Sequence, residues 1–115
     1  MASLTWKAPD EATGVAVEFH SELPLRRRRY AFGFLRDTFR VKRVLDRLAA
    51  DPDGGLLWYE LTAHPIANRY STASGWRSEE HLRRFAADPV HVEVMRRQRD
   101  RLGEARFETR VADTE

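Results

Sequence analysis

Hydrophobic and polar positions along this chain follow two periods, and the switches between them mark out the elements. Over Gly14–Glu22, Val15, Val17 and Phe19 alternate with Ala16, Glu18 and His20. That is the period of a half-buried strand, and Pro24 ends it. From Tyr30 to Ala50 the period becomes helical: Phe34, Thr38, Val41, Leu45 and Leu48 form one stripe, and Arg36, Arg40, Arg43 and Arg47 another. Asp51-Pro52-Asp53-Gly54-Gly55 is a stop and a turn. The next strand, Leu56–Ala63, is apolar at Leu56, Leu57, Trp58, Tyr59 and Leu61. Apolarity at both alternating phases predicts that both faces of this strand are covered. His64-Pro65-Ile66-Ala67-Asn68 leads into a strand over Arg69–Arg77, with Tyr70, Thr72, Ser74 and Trp76 on one face, and the pair reads as a hairpin. Ser78 is an N-cap ahead of Glu79 and Glu80. Asp88-Pro89 repeats the start signal, which predicts a helix broken near residues 87–89. It resumes through Arg101, and Gly103 is its expected stop. A last alternating strand runs over Ala105–Val111.

The order β-α-β-β-α-β predicts an α+β, ferredoxin-like domain: a four-stranded antiparallel sheet with its helices on one face. The other face is bare in a monomer. Together with the apolar strand it predicts a homodimer through the sheet, a dimeric α/β barrel. Residues 1–13 show little periodicity and are expected to be a flexible N-terminal arm; 14–112 form the single domain, and 113–115 a frayed tail.

A chain of 115 residues suits one domain. It has no cysteine, which removes disulfides, thiolate zinc sites and cysteine nucleophiles and fits a reducing compartment. The N-terminal residues lack the apolar run of a signal peptide, and no stretch approaches the ~18 apolar residues of a membrane span. A soluble, cytoplasmic protein with no membrane partner is the expectation. The cations are 18 Arg and 2 Lys, but 18 acidic residues are interleaved with them and the net charge is only +2. Both the arginine stripe and the Arg26–Arg29 run therefore read as solvated surface, and nucleic acid is not the expected partner.

The candidate chemistry rests on histidine. His20, His64, His81 and His91 contain no i, i+4 pair and no HExxH element, so no metal site is expected. Neither a Gly-rich phosphate loop nor a GxSxG element is present. His64 lies in a turn and His81 in a first helical turn, both expected at the surface; His20 is placed toward the dimer seam. His91 shares a stripe with Val94, Met95, Gln98 and Leu102 and so should point at the sheet. There it is either a core histidine bonded to strand backbone or to Thr72 or Ser74, or a general base. Trp58, Tyr59, Tyr70, Trp76, Phe85 and Met95 are expected around it, as core or as the walls of a pocket for a flat, apolar small molecule.

Several segments carry a resemblance: Gly55-Leu56-Leu57-Trp58-Tyr59-Glu60-Leu61, Tyr70 to Ser78, Leu82-Arg83-Arg84-Phe85, Asp88-Pro89-Val90-His91, Val94-Met95 and Ala105-Arg106-Phe107. Together they resemble the dimeric α/β-barrel superfamily that contains the antibiotic-biosynthesis monooxygenases, in particular small actinobacterial monooxygenase-like proteins. The resemblance implies an oxidoreductase, cofactor-independent in some relatives, acting on an aromatic or polyketide-like molecule between sheet and helices. His91 would be its catalytic residue, with Trp58, Tyr59, Tyr70, Thr72, Ser74, Trp76, Phe85 and Met95 contacting substrate. It also implies alternatives: a polyketide cyclase or isomerase, or a dimer that binds haem or another small ligand. Haem-degrading relatives carry a tryptophan in the second helix and an iron-ligating histidine ten residues later. The corresponding positions here are Phe85 and Met95, which do not match. The superfamily hosts many chemistries, so the fold alone does not select among them.

Overall fold

The computed structural model describes residues 4–8, 14–64 and 66–111. Its core has the ferredoxin-like order: β2 (Val17–Pro24), α1 (Ala31–Ala50), β3 (Leu56–His64), β4 (Arg69–Trp76), the broken helix α2 (Glu79–Ala86) and α3 (Pro89–Gln98), and β5 (Arg106–Val111). An additional strand, β1 (Leu4–Ala8), precedes it. All pairings are antiparallel, in the order β1-β3-β4-β2-β5. The four predicted strands are thus present, and β1 makes a fifth. This corrects the expectation of a flexible arm over residues 1–13. Leu4–Ala8 pairs with Ala63 back to Tyr59, occupying backbone groups that β3 would otherwise leave open at the sheet edge. The remainder of 1–13, and the predicted tail 113–115, lie outside the described residues.

The apolar run of β3 has a local explanation that its alternation concealed. Leu56 pairs with Trp76 and Trp58 with Gly75, so the ladder is irregular at Leu57. A bulge there advances the phase by one residue. Leu56, Tyr59, Leu61 and Ala63 are all buried on the helix side, while Trp58, Glu60 and Thr62 line the opposite face. Continuous apolarity here therefore reports a bulge as well as burial. Trp58 lies flat across Gly75: a Cβ on Gly75 would stand 2.0 Å from the indole Nε1.

The turn before β3 needs both of its glycines. Gly55 has φ +75°, and a Cβ on Gly54 would lie 2.2 Å from the Leu48 carbonyl oxygen. The helix break is as predicted. Ser78 accepts from the His81 N–H and caps α2; Asp88 accepts from the Val90 N–H at 2.9 Å and caps α3, with Pro89 in its first turn. α3 stops at Gln98 and a 3-10 turn completes Arg99–Arg101. Gly103 takes no left-handed conformation there; its N–H instead donates to the Pro24 carbonyl.

Between sheet and helices the core divides in two. One cluster gathers Val17, Val44, Leu45, Leu56, Tyr59, Leu61, Trp76 and Phe85. The other gathers Leu23, Leu25, Phe34, Ala63, Tyr70 and Leu102.

Candidate functional site

A cavity of about 310 Å³ lies where the two clusters meet. Its floor is the helix-facing side of the sheet: Phe19, Ser21 and Leu23 of β2, Leu61 of β3, Thr72 of β4 and Phe107 of β5. Its roof is Phe34, Thr38 and Val41 of α1 with His91, Val94, Met95 and Gln98 of α3, and Leu102 closes one end. In the middle of this floor two small side chains, Ser21 and Thr72, stand among large ones and leave space above them. Ser21 and Thr72 are register partners, and their hydroxyls hydrogen-bond to each other. Phe107, 52% exposed, and Phe19 stack at 6.2 Å beside the otherwise uncovered strand β5, on the side where the cavity meets solvent.

His91 sits in the first turn of α3. Its Nδ1–H donates to the Ala86 carbonyl at 3.1 Å across the helix break, and its ring packs on Phe85 at 4.6 Å. The carbonyl can only accept, so this bond fixes the tautomer and leaves Nε2 as the ring atom available to accept a proton. Burial holds the imidazole below its usual pKa, against the opposing effects of the Ala86 carbonyl and Asp88. The neutral, basic form is the one this pocket favours.

The structure brings Thr72 and Met95 to the cavity with His91, and Phe85 against its ring. The other aromatic candidates lie elsewhere, which corrects the expectation that all surround His91. Trp76 is 0% exposed, stacked on Phe85 at 5.3 Å, and its Nε1–H donates to Ser74 at 2.8 Å, so both residues are core. Tyr59 is buried with its hydroxyl donating to Asp46. Tyr70 packs on Phe34 at 4.6 Å in the second cluster, its buried hydroxyl without a partner among the described residues. Trp58 lies on the opposite face of the sheet. That face carries a groove of about 830 Å³ lined by His20, Trp58, Glu60, Arg106, Glu108 and Arg110, among others. His81 is half-buried against Gly55 rather than solvated, and His64 is half-buried rather than exposed.

Sequence reading missed the polar support behind the roof. Asp37, set among arginines and expected on a solvated face, is 0% exposed. Arg97 donates to its Oδ1 at 3.1 Å, Gln98 Nε2 to its Oδ2 at 2.7 Å, and Arg40 lies 3.5 Å away. Arg40 and Arg97 both also pair with Glu93 at 2.8 Å. The carboxylate and its two arginines thus clamp α1 to α3 above the cavity. The signal available was the i+3 position of Asp37 after Phe34 on the apolar stripe. Among the described residues no group of three or more His, Asp or Glu is placed to hold a metal ion. No helix is long and apolar enough to cross a membrane among them.

Solved structures share this fold at low identity. A heme-degrading enzyme from Listeria monocytogenes superposes with a TM-score of 0.66 at 20% identity, covering 90% of this chain and 65% of its own. SnoaB, a cofactor-independent oxygenase from Streptomyces nogalater, superposes at 0.63 and 17% identity, covering 88% of this chain and 96% of its own. A monooxygenase candidate from Lactobacillus acidophilus superposes at 0.69 and 10% identity over 86% of this chain, which spans only 45% of that protein's length. No curated protein matches the sequence. A family model described as "Monooxygenase af470-like" matches residues 19–108, from the second residue pair of β2 to the middle of β5 and so across every element that builds the cavity. The chain belongs to the monooxygenase af470-like family.

Proposed function

We propose that this protein is a small oxygenase acting on an aromatic or polyketide-like molecule in the cavity between sheet and helices, with His91 as general base. One observation carries this reading: a neutral histidine with Nδ1–H anchored on a backbone carbonyl and Nε2 left to accept, set in a mostly apolar cavity. Nε2 removes a proton from a phenol or enol conjugated with a ring CH₂. The resulting electron-rich anion reacts with O₂ at that carbon. One oxygen atom stays as a ring carbonyl and the other leaves in water, so the two ring hydrogens and O₂ balance without an external reductant. Phe19, Phe34 and Phe107 wall the ring, Met95 adapts to its outline, and the Ser21–Thr72 hydroxyl pair offers a polar contact beneath it.

Haem is the alternative occupant. His91 Nε2 would hold its iron, but among the described residues the cavity lining includes no Arg or Lys to meet the two haem carboxylates, so the residues present fit an apolar ring better. The site would serve a homodimer through the groove-bearing face of the sheet.

Replacing His91 with Ala should lower the O₂ uptake driven by a polycyclic phenol by about 10²–10⁴-fold while the thermal transition is retained. Full O₂ uptake by the folded variant refutes the assignment of the base. Wild-type turnover that consumes no O₂ but depends on His91 would instead support a cyclase or isomerase at the same site. A Soret band in the purified protein that vanishes with His91 would establish the haem reading.

A further inference from the structure

Acidic residues interleaved with arginines along α1 suggest a balanced surface, but the fold sorts the charges by face. Asp37 turns inward, Asp46 is taken by Lys42 and Tyr59, and Glu93 of α3 is taken by Arg40 and Arg97. Among the described residues no carboxylate pairs with Arg36, Arg43 or Arg47. Phe32, Arg36, Phe39, Arg43 and Arg47 follow the three- and four-residue spacing of one helical face, and that face is exposed. Phe32 is 86% and Phe39 43% exposed, about 10 Å apart along the axis. At the start of the helix Arg26–Arg29 are all exposed. Arg28 donates to the Ile66 carbonyl at 2.7 Å, which sets Ile66, itself 54% exposed, beside them. Arg101 lies over the Tyr30 ring at 5.3 Å and adds a further cation, with Asp100 as its one acidic sequence neighbour. Protruding apolar groups among arginines combine the two features that a charged bilayer interface binds: apolar tips for the acyl boundary and guanidinium groups for the phosphates.

We propose that the outward face and the first turn of α1 dock on an anionic lipid surface, with Phe32 and Ile66 entering the headgroup boundary and the arginines around them meeting lipid phosphates. Charge selects this occupant over a second copy, because a two-fold axis through this face would set arginine against arginine. Shape selects it over a nucleic acid. A single exposed helix is a convex ridge, which a flat bilayer meets along its length, whereas a nucleic-acid strand is tracked by a groove. Docking of this kind is peripheral and requires no spanning helix. The helices cover the side of the sheet opposite the Trp58 groove, so the face stays free in a dimer formed through that groove. None of its residues lines the cavity, and the proposal stands apart from the reading of that site.

Co-sedimentation with vesicles tests this, using phosphatidylcholine alone and phosphatidylcholine mixed with an equal part of phosphatidylglycerol. At physiological salt the wild-type protein should bind the anionic vesicles more tightly by about tenfold or more. Replacing Arg36, Arg43 and Arg47 together with Gln should weaken that binding by about a hundredfold, or roughly fivefold for each guanidinium. Phe32→Ala should weaken it by about tenfold. Arg83→Gln with Arg84→Gln removes two cations from α2, outside the face, and should bind as the wild type does. The substituted side chains are exposed, so each variant should keep the wild-type thermal transition; should the triple variant fail to fold, Arg43→Gln and Phe32→Ala decide. No preference for anionic vesicles overturns the proposal, and so does an equal loss in the α2 variant. Binding that Phe32→Ala leaves unchanged overturns it too, since the apolar tip would then play no part. A single-stranded oligonucleotide that binds more tightly than the vesicles, and is lost with the same arginines, overturns it in favour of a nucleic-acid partner.

Discussion

His91 is a histidine that burial keeps neutral, and that has consequences for both activity and stability. Its pKa lies below the ordinary imidazole value near 6.5 because desolvation disfavours the charged ring. The base should accordingly stay competent at lower pH than an exposed histidine would, and the acid limb of kcat/KM should fall with an apparent pKa under that value. The stability effect follows by linkage. Between the lowered folded pKa and the ordinary unfolded one, the unfolded chain binds the proton and the folded chain does not. The native state is therefore favoured above the unfolded pKa and loses that advantage as pH falls through the window. His91→Gln should lose less stability than the wild type between pH 7 and pH 5 in parallel denaturant titrations; equal losses would show that His91 is not held neutral by burial. His91 was legible because it interrupts an apolar helical stripe with the one side chain that titrates near neutrality. Asp37 was not. A carboxylate among arginines is the usual pattern of a solvated face, and its partners Arg97 and Gln98 lie about sixty residues further along the chain. Gln98 stood on the same stripe as His91, but nothing local distinguishes a glutamine that packs from one that holds a buried carboxylate.

The helix break between α2 and α3 is the element-scale device of the site. Ala86, the last residue of α2, supplies the carbonyl that holds His91, and Asp88 starts the helix that carries it. A continuous helix would commit that carbonyl to its own ladder, since each carbonyl in a helix interior accepts from the residue four positions on. Pro89 lacks the N–H and ends α2 where it must end. Asp88→Ala should cost about 1 kcal/mol of stability in denaturant unfolding, the usual worth of a side-chain N-cap. It should also lower turnover beyond what stability explains, because the first turn of α3 aims the imidazole; unchanged kcat/KM would separate the cap from the site. Asp88-Pro89 announced this break plainly in the sequence, as did Ser78 for α2. The strand β3 was harder. Its bulge at Leu57 places Leu56 and Tyr59 on one face although they are three residues apart, and strict alternation assigns them to opposite faces. For that reason Tyr59 and Trp58, adjacent in sequence and both expected at the pocket, are found in the core and on the far side of the sheet.

At the scale of the whole molecule, the order of elements was readable from the switches in period, while the N-terminal strand was not, since five residues with little alternation gain their structure only from the edge they join. That strand also bears on assembly. It covers the β3 edge and leaves β1 and β5 as the two edges of the sheet, and the broad surface free for a second copy is the face away from the helices. This face carries acidic Glu60 and Glu108 beside basic Arg106 and Arg110, with the large apolar group of Trp58 among them. A two-fold interface brings a patch against its own image, so a patch that carries both charge signs can meet its copy without net repulsion. Gly75 keeps Trp58 flat across the sheet, where it can pack against the facing copy rather than stand into solvent. The wild-type protein should therefore sediment as a dimer. Trp58→Glu should sediment as a monomer with an unchanged far-ultraviolet spectrum, because the indole lies outside the core between sheet and helices and its replacement leaves that core filled. Because the 310 Å³ cavity is built within one chain, the monomeric variant should still bind 2-naphthol. A wild-type protein that sediments as a monomer at high concentration would refute the dimer and leave the cavity untouched, whereas a Trp58→Glu monomer that has lost 2-naphthol binding would show that the site is completed by the partner subunit.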